Sequence, residues 1–257
     1  MRVINLNLNG IRAAAKKGFF DWMILQNADF VCLQETRSDL KNDTTETFHP
    51  PGYSLYCHDA EKKGYSGVAI YSKHKPQKII TGLGWQSADQ EGRYVELQFD
   101  SFNIASLYLP SGTSGAERQA IKYDFMQRYF EVLQKIKKST KNFIITGDIN
   151  IAHKQIDIKN WRTNQKHSGF LPEERAWLDK VIDELGFVDT FRVLNQKPDQ
   201  YTWWSNFAHA RDRNVGWRID YQIVTSNLKD KIQAVSIYNE KRFSDHAPLI
   251  IDYGIKL

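Results

Sequence analysis

Cysteine is nearly absent from this chain of 257 residues, which contains only Cys32 and Cys57. Two cysteines make neither the disulfide framework of a small secreted domain nor a typical zinc site. Cys32 lies in the apolar run 30–33, where a cysteine usually serves as a small core residue. The shortage of cysteine therefore favours a protein of a reducing compartment.

Long apolar segments are missing as well. No run approaches the roughly 18 apolar residues that mark a membrane-spanning helix. The first ten residues, MRVINLNLNG, lack the apolar segment of a secretory signal. No Pro/Gly/Ser-rich linker and no low-complexity segment divides the chain. We therefore expect a cytoplasmic protein without a membrane partner, folded as one domain over residues 1–257.

The charge balance is only mildly basic. Lys and Arg number 35 against 30 Asp and Glu, which gives a formal net charge of +5. Aromatic residues make up 13% of the chain, and basic and aromatic residues together fit contact with nucleic acid better than either alone. A large core would also use the aromatic residues, so the composition favours a polyanionic partner without establishing one.

Short apolar segments bounded by turn residues indicate a fold with many strands. Strands are expected at 2–7, 29–33, 53–57, 67–72, 77–81, 94–99, 103–109, 143–145, 201–204, 217–224, 232–238 and 248–253. Apolar residues recur at helical spacing over 16–26, 117–138 and 172–185, and in the second of these helices Lys, Arg and Glu lie opposite the apolar stripe. Residues 151–170 show no clean period and are expected to form a long ordered loop. Without strict βαβ alternation, this pattern predicts an α/β protein with two sheets packed face to face and helices outside.

The stretch NFIITGDINIAH (residues 142–153) contains the first candidate site. Its apolar strand ends in Asp148 and Asn150, which lie two apart and would point to the same side of an extended backbone. Ile149 between them would turn into the core. A single polar strand exit of this kind is common, so the argument depends on whether other strands end in the same way.

Polar side chains do occur where other apolar strands end. They are Asn7, Asn9, Glu35, Tyr108, Asp220, Ser244, Asp245 and His246. Oxygen ligands without cysteine favour a hard cation such as Mg²⁺ or Mn²⁺ over structural zinc. Hydrolysis of a phosphate ester needs such a set, because a cation neutralises phosphate charge, a base deprotonates water and donors hold the phosphoryl oxygens.

Each of these residues alone also has an ordinary explanation. Glu35 fits a solvated strand end, His246 a turn, and Tyr108 a core or rim aromatic. Asp220 is more suggestive, because it lies between Ile219 and Tyr221 inside an apolar strand. A carboxylate there needs a partner, which a histidine or a metal ion would supply.

Six segments in order resemble the exonuclease III-type apurinic/apyrimidinic endonucleases of base-excision DNA repair, within the endonuclease/exonuclease/phosphatase superfamily. They are residues 7–13, 33–36, 108–110, 147–150, 214–221 and 244–248, and the resemblance covers essentially the whole chain. It implies a four-layer α-β-β-α sandwich of two mixed sheets with the site at one end. It also implies metal-dependent cleavage 5′ to an abasic site and trimming of 3′ ends by exonuclease or 3′-phosphatase action. The implied partner is double-stranded DNA with an abasic site or a blocked or recessed 3′ end, bound by a monomer.

The resemblance also implies metal-binding and water-activating roles. Glu35 matches the principal ligand of the metal ion, with Asn7 and Asp245 nearby. Asp148 matches the residue that positions or deprotonates the attacking water, and Asn150 would orient that water or hold the phosphate. Whether Asp148, the histidine of the site or a metal hydroxide activates the water stays open.

Contacts to the phosphate follow from the same resemblance. His246 would contact the phosphate, with Asp220 as the carboxylate that orients it. A carboxylate on one ring nitrogen favours imidazolium, which stabilises a dianionic transition state. Tyr108 would hydrogen-bond a phosphoryl oxygen or assist the leaving group.

Substrate binding is expected from basic and aromatic residues near the motifs. Arg37 and Arg213 would contact phosphates, while Trp203 and Trp217 resemble the pocket for a flipped abasic sugar. His167 departs from the resemblance, since small or amide residues are more usual at its position. A bulky imidazole there could block duplex DNA, and we expect it to bias the enzyme toward 3′ ends.

Two alternatives stay open at this point. The same fold could carry a lipid or inositol-phosphate phosphatase or a nonspecific nuclease, although residues 217–221 and the basic balance argue against that. A DNA-binding module without catalysis would show gaps among the polar residues of the strand ends, and the sequence shows none.

Overall fold

Two six-stranded sheets form the centre of the computed structural model, which describes residues 1–257. Their inner faces share one apolar layer, to which Val3 and Phe30 contribute from one sheet and Ile144 and Val224 from the other. The strands in chain order are β1 (Arg2–Asn7), β2 (Phe30–Gln34), β3 (Ser54–His58), β4 (Val68–Ser72), β5 (Lys78–Thr81), β6 (Tyr94–Gln98), β7 (Phe102–Tyr108), β8 (Asn142–Asp148), β9 (Val188–Asp189), β10 (Trp203–Trp204), β11 (Gly216–Trp217), β12 (Asp220–Val224), β13 (Ile232–Ile237) and β14 (Leu249–Tyr253).

The first sheet has the order β13-β14-β1-β2-β4-β3, and the second has the order β5-β6-β7-β8-β12-β9. Each sheet contains one parallel pair among antiparallel neighbours, β1 with β2 in the first and β7 with β8 in the second. A separate two-stranded ribbon joins β10 to β11. The predicted pair of mixed sheets is therefore confirmed.

Helices cover both outer faces of the sheets. The helices in chain order are α1 (Ile11–Lys16), α2 (Phe19–Gln26), α3 (Gln86–Asp89), α4 (Ala116–Lys138), α5 (Trp161–Asn164), α6 (Pro172–Asp179) and α7 (Thr190–Leu194), of which α7 contributes Phe191 to the layer between the sheets. On the first sheet, Phe19 and Met23 pack against Ile4 and Leu33. On the second sheet, helix α4 contributes Phe125 to the cluster around Ile145. The arrangement is the predicted four-layer α/β sandwich. No helix is both long and apolar enough to cross a membrane.

The period of two along a strand explains where the site lies. In β8, Phe143 and Ile145 face the outer helices, whereas Ile144 faces the other sheet. Asp148 falls on the same face as Ile144, because side chains alternate along a strand. By the same alternation, Asn7 of β1 and Asp220 of β12 also face the layer between the two sheets. The layer between the sheets is thus apolar along most of its length and polar at one end.

Several segments differ from the sequence-based predictions. The helix expected over 16–26 covers only Phe19–Gln26, and the strand expected over 201–204 covers only Trp203–Trp204. The strand expected over 217–224 is interrupted at Arg218, whose N–H donates to Asp157 O at 2.7 Å. The helix expected over 172–185 changes to a π-helical segment at Lys180–Glu184. The expected loop 151–170 contains a 3₁₀ turn at Gln155–Asp157 and the short helix α5. Further 3₁₀ segments lie at Glu46–Phe48 and Ser226–Lys231.

Candidate active site

Asn7 connects the two sheets at the polar end of the sandwich. The Nδ2 group of this fully buried residue donates to Glu35 Oε1 and to Asp148 Oδ2, both at 2.8 Å. Its Oδ1 accepts the backbone N–H of Asn9 at 2.9 Å. Because both partners of Nδ2 are carboxylates, the amide nitrogen must face them. In this structure Asn7 therefore holds two carboxylates together, with its oxygen turned away from them.

Glu35 lies one residue beyond β2, where the chain turns sharply. Glu35 and Arg37 have φ angles of 49° and 50°, in the left-handed region that non-glycine residues rarely adopt. Backbone bonds from Gly10 to Glu35 and from Arg37 to Ser66 hold this turn. Glu35 Oε1 accepts Tyr108 Oη at 2.9 Å, and Oε2 accepts Arg37 Nε at 3.0 Å. The turn thus directs a carboxylate and a guanidinium into the same space.

Asp148 is the last residue of β8, and just before it the backbone of β7 comes very close to that of β8. A Cβ on Gly147 would lie 2.0 Å from Leu107 O, so only glycine fits before Asp148. Asp148 Oδ1 accepts the Asn150 N–H at 2.9 Å, and Asn150 has a φ of 55°. The expected extended backbone at Asn150 is therefore wrong, because this local hydrogen bond closes a turn. Ile149 is buried, as predicted.

His246 lies between two buried carboxylates. Its Nδ1 is 2.8 Å from Asp220 Oδ2, and its Nε2 is 3.9 Å from Asp148 Oδ2. Burial disfavours the imidazolium, but Asp220, Asp148 and Asp245 outweigh it and raise the pKa of His246 to about 10. Burial, with the charge of Asp220 second, also raises the pKa of Asp148. The site thus contains a cationic imidazole next to a carboxylate that accepts a proton readily.

Asp245 points into the same cleft and stays ionised. Its Oδ1 accepts Asn9 Nδ2 at 3.0 Å, and its Oδ2 accepts Trp203 Nε1 at 3.1 Å. Burial would raise the pKa of Asp245, but the charge of His246 and these hydrogen bonds outweigh it and lower that pKa.

Two groups of side chains have the chemistry of a cation site. Ligand atoms of Asp148, Asp220 and His246 lie within 4.8 Å of one another. A protonated imidazole offers no lone pair, so this group fits a proton better than a metal ion. Glu35 and Asp245 instead present carboxylate oxygens to the open cleft, and such oxygens suit a hard divalent cation.

A cleft of about 590 Å³ collects most of the predicted residues. Its lining includes Glu35, Arg37, Tyr108, Asp148, Asn150, His167, Trp203, Trp217, Asp245 and His246. Asn7 and Asp220 lie behind this surface as partners of lining carboxylates and imidazole. Arg213 is exposed and lies outside the lining.

The ribbon of β10 and β11 forms one wall of the cleft. It pairs Trp203 with Trp217, whose rings meet edge to face at 6.1 Å. Ser111, Gly112 and Thr113 also line the cleft, and sequence reasoning missed them because a Ser/Gly loop has no signal of its own.

Fold and site together define a hydrolase of phosphate esters, with paired carboxylates, a charged imidazole and oxygen ligands at the open end of a four-layer sandwich. The chain belongs to the Endonuclease/Exonuclease/phosphatase family, whose model matches residues 4–246. The family predicted from the six motifs is thereby confirmed.

Curated relatives and solved structures agree with this assignment. The chain is 38% identical over 251 residues to an exodeoxyribonuclease of Bacillus subtilis, covering 97% of this chain and 98% of the relative. It is 36% identical to a DNA-(apurinic or apyrimidinic site) endonuclease of Dictyostelium discoideum, covering 97% of this chain and 69% of that protein. An AP endonuclease structure from Archaeoglobus fulgidus aligns with a TM-score of 0.90 at 26% identity, covering 99% of this chain and all of the other.

Proposed function

We propose that this protein is a DNA-repair phosphodiesterase that hydrolyses DNA at abasic sites and processes 3′ ends. The observation that carries the proposal is His246 held between Asp220 and Asp148, in a cleft that also presents Glu35 and Asp245. The relatives described above are named as an exodeoxyribonuclease and an abasic-site endonuclease. These names support DNA as the substrate over the lipid-phosphatase and non-catalytic alternatives.

The family is divalent-metal dependent, and we propose Mg²⁺ or Mn²⁺ for this chain. Glu35 and Asp245 would hold the ion, with Asn7 fixing the Glu35 carboxylate from behind. When bound, the ion would neutralise charge on the scissile phosphate. Arg37 donates to one Glu35 oxygen in this structure, so a bound cation would compete with the guanidinium for that oxygen, and a displaced guanidinium would be free to contact a phosphate.

The proton chemistry is assigned to the residues that adjoin Glu35 and Asp245 in the same cleft. Asp148, with its raised pKa, would take a proton from the attacking water, while Asn150 orients that water or the phosphate. The imidazolium of His246 donates to a phosphoryl oxygen and stabilises the charge that develops there. Asp220 holds the other ring nitrogen, and Tyr108 Oη supplies a further donor to the phosphate or the leaving oxygen.

DNA would lie across the cleft with its backbone near Arg37 and Arg213. The edge-to-face pair Trp203 and Trp217 would form the flat wall for a sugar that lacks its base.

We further propose that residues 1–257 act as one monomeric domain, because both sheets contribute to one site. DNA as the substrate also supports the expectation of a cytoplasmic protein.

Cleavage of an abasic-site duplex with and without EDTA tests the proposal. Asp148→Asn is expected to lower the cleavage rate by a factor of about 10² to 10⁴, the range of general-base removal. Its affinity for DNA should stay within about threefold, since phosphate contacts supply affinity. Asp124→Asn, an exposed change on α4, is the matched control. Full activity of Asp148→Asn, or cleavage that survives EDTA, would contradict the mechanism.

We also propose that His167 biases the enzyme toward 3′ ends. Its exposed imidazole lines the cleft two residues before Gly169, which packs against Trp217, and it would narrow the space for duplex DNA beyond the cut. His167→Gly should raise internal incision relative to removal of a recessed 3′ nucleotide by about tenfold, the effect of relieving a modest steric cost. His49→Gly, exposed and outside the cleft lining, is the control. An unchanged ratio of the two activities would refute this role.

A further inference from the structure

A buried carboxylate outside the catalytic set organises one wall of the cleft. Glu174, in the first turn of α6, is fully buried. Its Oε2 accepts the backbone N–H groups of Gly169 and Leu171 at 2.6 and 3.0 Å. Its Oε1 accepts Lys122 Nζ at 2.6 Å and Gln119 Nε2 at 3.0 Å. One side chain therefore fixes the loop that follows His167 onto helix α4.

Lys122 extends this network to the catalytic strand. It is fully buried, and its Nζ donates to Asn150 O at 2.8 Å as well as to Glu174. The carbonyl that it holds belongs to Asn150, the left-handed residue two positions after the end of β8. We call Lys122 and Glu174 the clamp. Through adjoining hydrogen bonds, the clamp holds the Ser168–Gly169 wall of the cleft and the turn at Asn150.

The space between these parts leaves little freedom. A Cβ on Gly169 would lie 2.9 Å from Cζ3 of Trp217 and 3.2 Å from Asn150 O. The Gly169 carbonyl also accepts the N–H of Ala152 at 2.8 Å. Gly169 therefore lies close against Trp217 and the turn at Asn150, without room for a side chain. Ser168 and Gly169 both line the cleft, so we expect a displacement of this loop to alter the space for the substrate.

Stability alone gives a weak reason for this clamp. Two charges buried together rarely stabilise a fold more than apolar residues of the same volume would. The pair does, however, fix one relative position of its partners. Its hydrogen bonds form together only when the loop at Gly169, helix α4 and the turn at Asn150 lie next to one another. Hydrogen bonds lead from the clamp to Ser168, Gly169 and Asn150, and all three residues line the cleft.

We propose that the Lys122–Glu174 ion pair is a positioning device that sets the gap between Asn150 and the Ser168–Gly169 wall, and so governs the preference between internal and terminal cleavage. The inference rests on the proposed nuclease function. Neither residue touches the reacting atoms. The clamp acts through the wall that carries His167 and through the turn that places Asn150.

Two variants test this role. Glu174→Gln keeps the size of the side chain, and the double variant Lys122→Met with Glu174→Gln avoids leaving a lone buried lysine charge. Amide hydrogen exchange of residues 164–171 is followed by mass spectrometry on the protein without DNA. Cleavage is measured on an abasic-site duplex and on a recessed 3′ end, and the ratio of the two kcat/KM values is compared with that of the parent.

Both variants should exchange in segment 164–171 about tenfold faster than the parent, because a charge-assisted hydrogen bond to Gly169 is weakened. The ratio of internal to terminal cleavage should change at least about threefold, with a larger change in KM than in kcat. A fold that is merely weakened lowers both activities by the same factor and leaves their ratio unchanged. The control is Arg2→Gln with Asp252→Asn, which removes an ion pair at the other end of β1.

Unchanged hydrogen exchange of residues 164–171 in the folded variants, or an unchanged cleavage ratio, would overturn the proposed role of the clamp. If both variants fail to fold while the control folds, Glu174→Asp repeats the two measurements and decides in the same way, because it keeps the charge beside Lys122 and shortens the reach to the N–H groups of Gly169 and Leu171. Absence of cleavage in the parent would refute the proposed nuclease and not the clamp, since hydrogen exchange of segment 164–171 tests the wall without a substrate.

Discussion

A buried cluster of two arginines and two aspartates leads to a quantitative prediction about stability. Asp157 Oδ1 accepts Arg218 Nε at 2.8 Å and Arg192 Nη2 at 2.6 Å, and Arg218 Nη2 also bonds Asp189 Oδ2 at 2.6 Å. The cluster is electrically balanced and almost completely buried. Asp157→Asn leaves one positive charge without compensation in the interior.

The expected cost is about 3–5 kcal/mol of unfolding free energy, the usual penalty for breaking a buried pair. For a chain of this size that corresponds to a fall in Tm of about 6–20 °C. Because Arg218 interrupts the strand just before Asp220, the loss should also loosen the segment that holds His246. Thermal and urea unfolding of the two proteins at pH 7, followed by circular dichroism, measure the difference.

The effect has a defined dependence on pH. Burial alone would raise the pKa of Asp157, but Arg218 and Arg192 outweigh it and hold that pKa well below the usual range. A carboxyl group with a lowered native pKa stabilises the fold above its unfolded pKa of about 3.9 and loses that stabilisation as the pH falls further. The parent should therefore lose more stability than Asp157→Asn between about pH 5 and pH 2.

Asp183→Asn, an exposed change without an ion pair in the adjoining helix, should leave stability within about 0.5 kcal/mol of the parent. If Asp157→Asn matched this control at pH 7, or showed the same acid dependence as the parent, the electrostatic account of the cluster would be refuted.

Two further predictions concern Glu35. Arg37→Met frees a Glu35 oxygen from its guanidinium partner, so Mg²⁺ affinity measured by calorimetry should rise about threefold to tenfold. The salt dependence of DNA binding should fall by about one phosphate contact. Weaker Mg²⁺ binding would contradict this account. Tyr108→Phe removes a donor to Glu35 and should lower kcat by about 10²-fold. The control is Tyr129→Phe, whose buried hydroxyl has no partner and which should leave kcat unchanged. Equal activity of the two Phe variants would remove Tyr108 from the proposed mechanism.

Strand periodicity made most of the fold and much of the site predictable. Asp220 stood out because alternation placed a carboxylate inside an apolar strand, and its partner is indeed His246. The expected strand at 143–145 extends through Asp148, which the close approach of Leu107 to Gly147 makes possible. Patterns of this kind are local, so the sequence shows them directly.

The contacts that the sequence did not reveal join distant residues. The lysines of the helix over 117–138 are expected opposite its apolar stripe, yet Lys122 is fully buried against Glu174, 52 residues further along the chain. Arg218 was read as part of a strand, but partners 61 and 29 residues away hold it. Asn7 is expected near the metal ion, and no sequence pattern indicated that its amide nitrogen also joins two carboxylates. Such pairings depend on three-dimensional packing, which periodicity does not encode.

The amide of Asn7 bonds a carboxylate from each sheet, which makes enzyme activity a sensor of how the sheets meet. Glu35 follows β2 of the first sheet, whereas Asp148 ends β8 of the second. A small slip between the sheets would leave every strand intact and still separate these two carboxylates. Under mild denaturant or pressure, catalysis should therefore fail before circular dichroism changes. A substitution deep in the shared apolar layer, at Ile144 for example, would then act as an activity mutation although it lies far from the cleft.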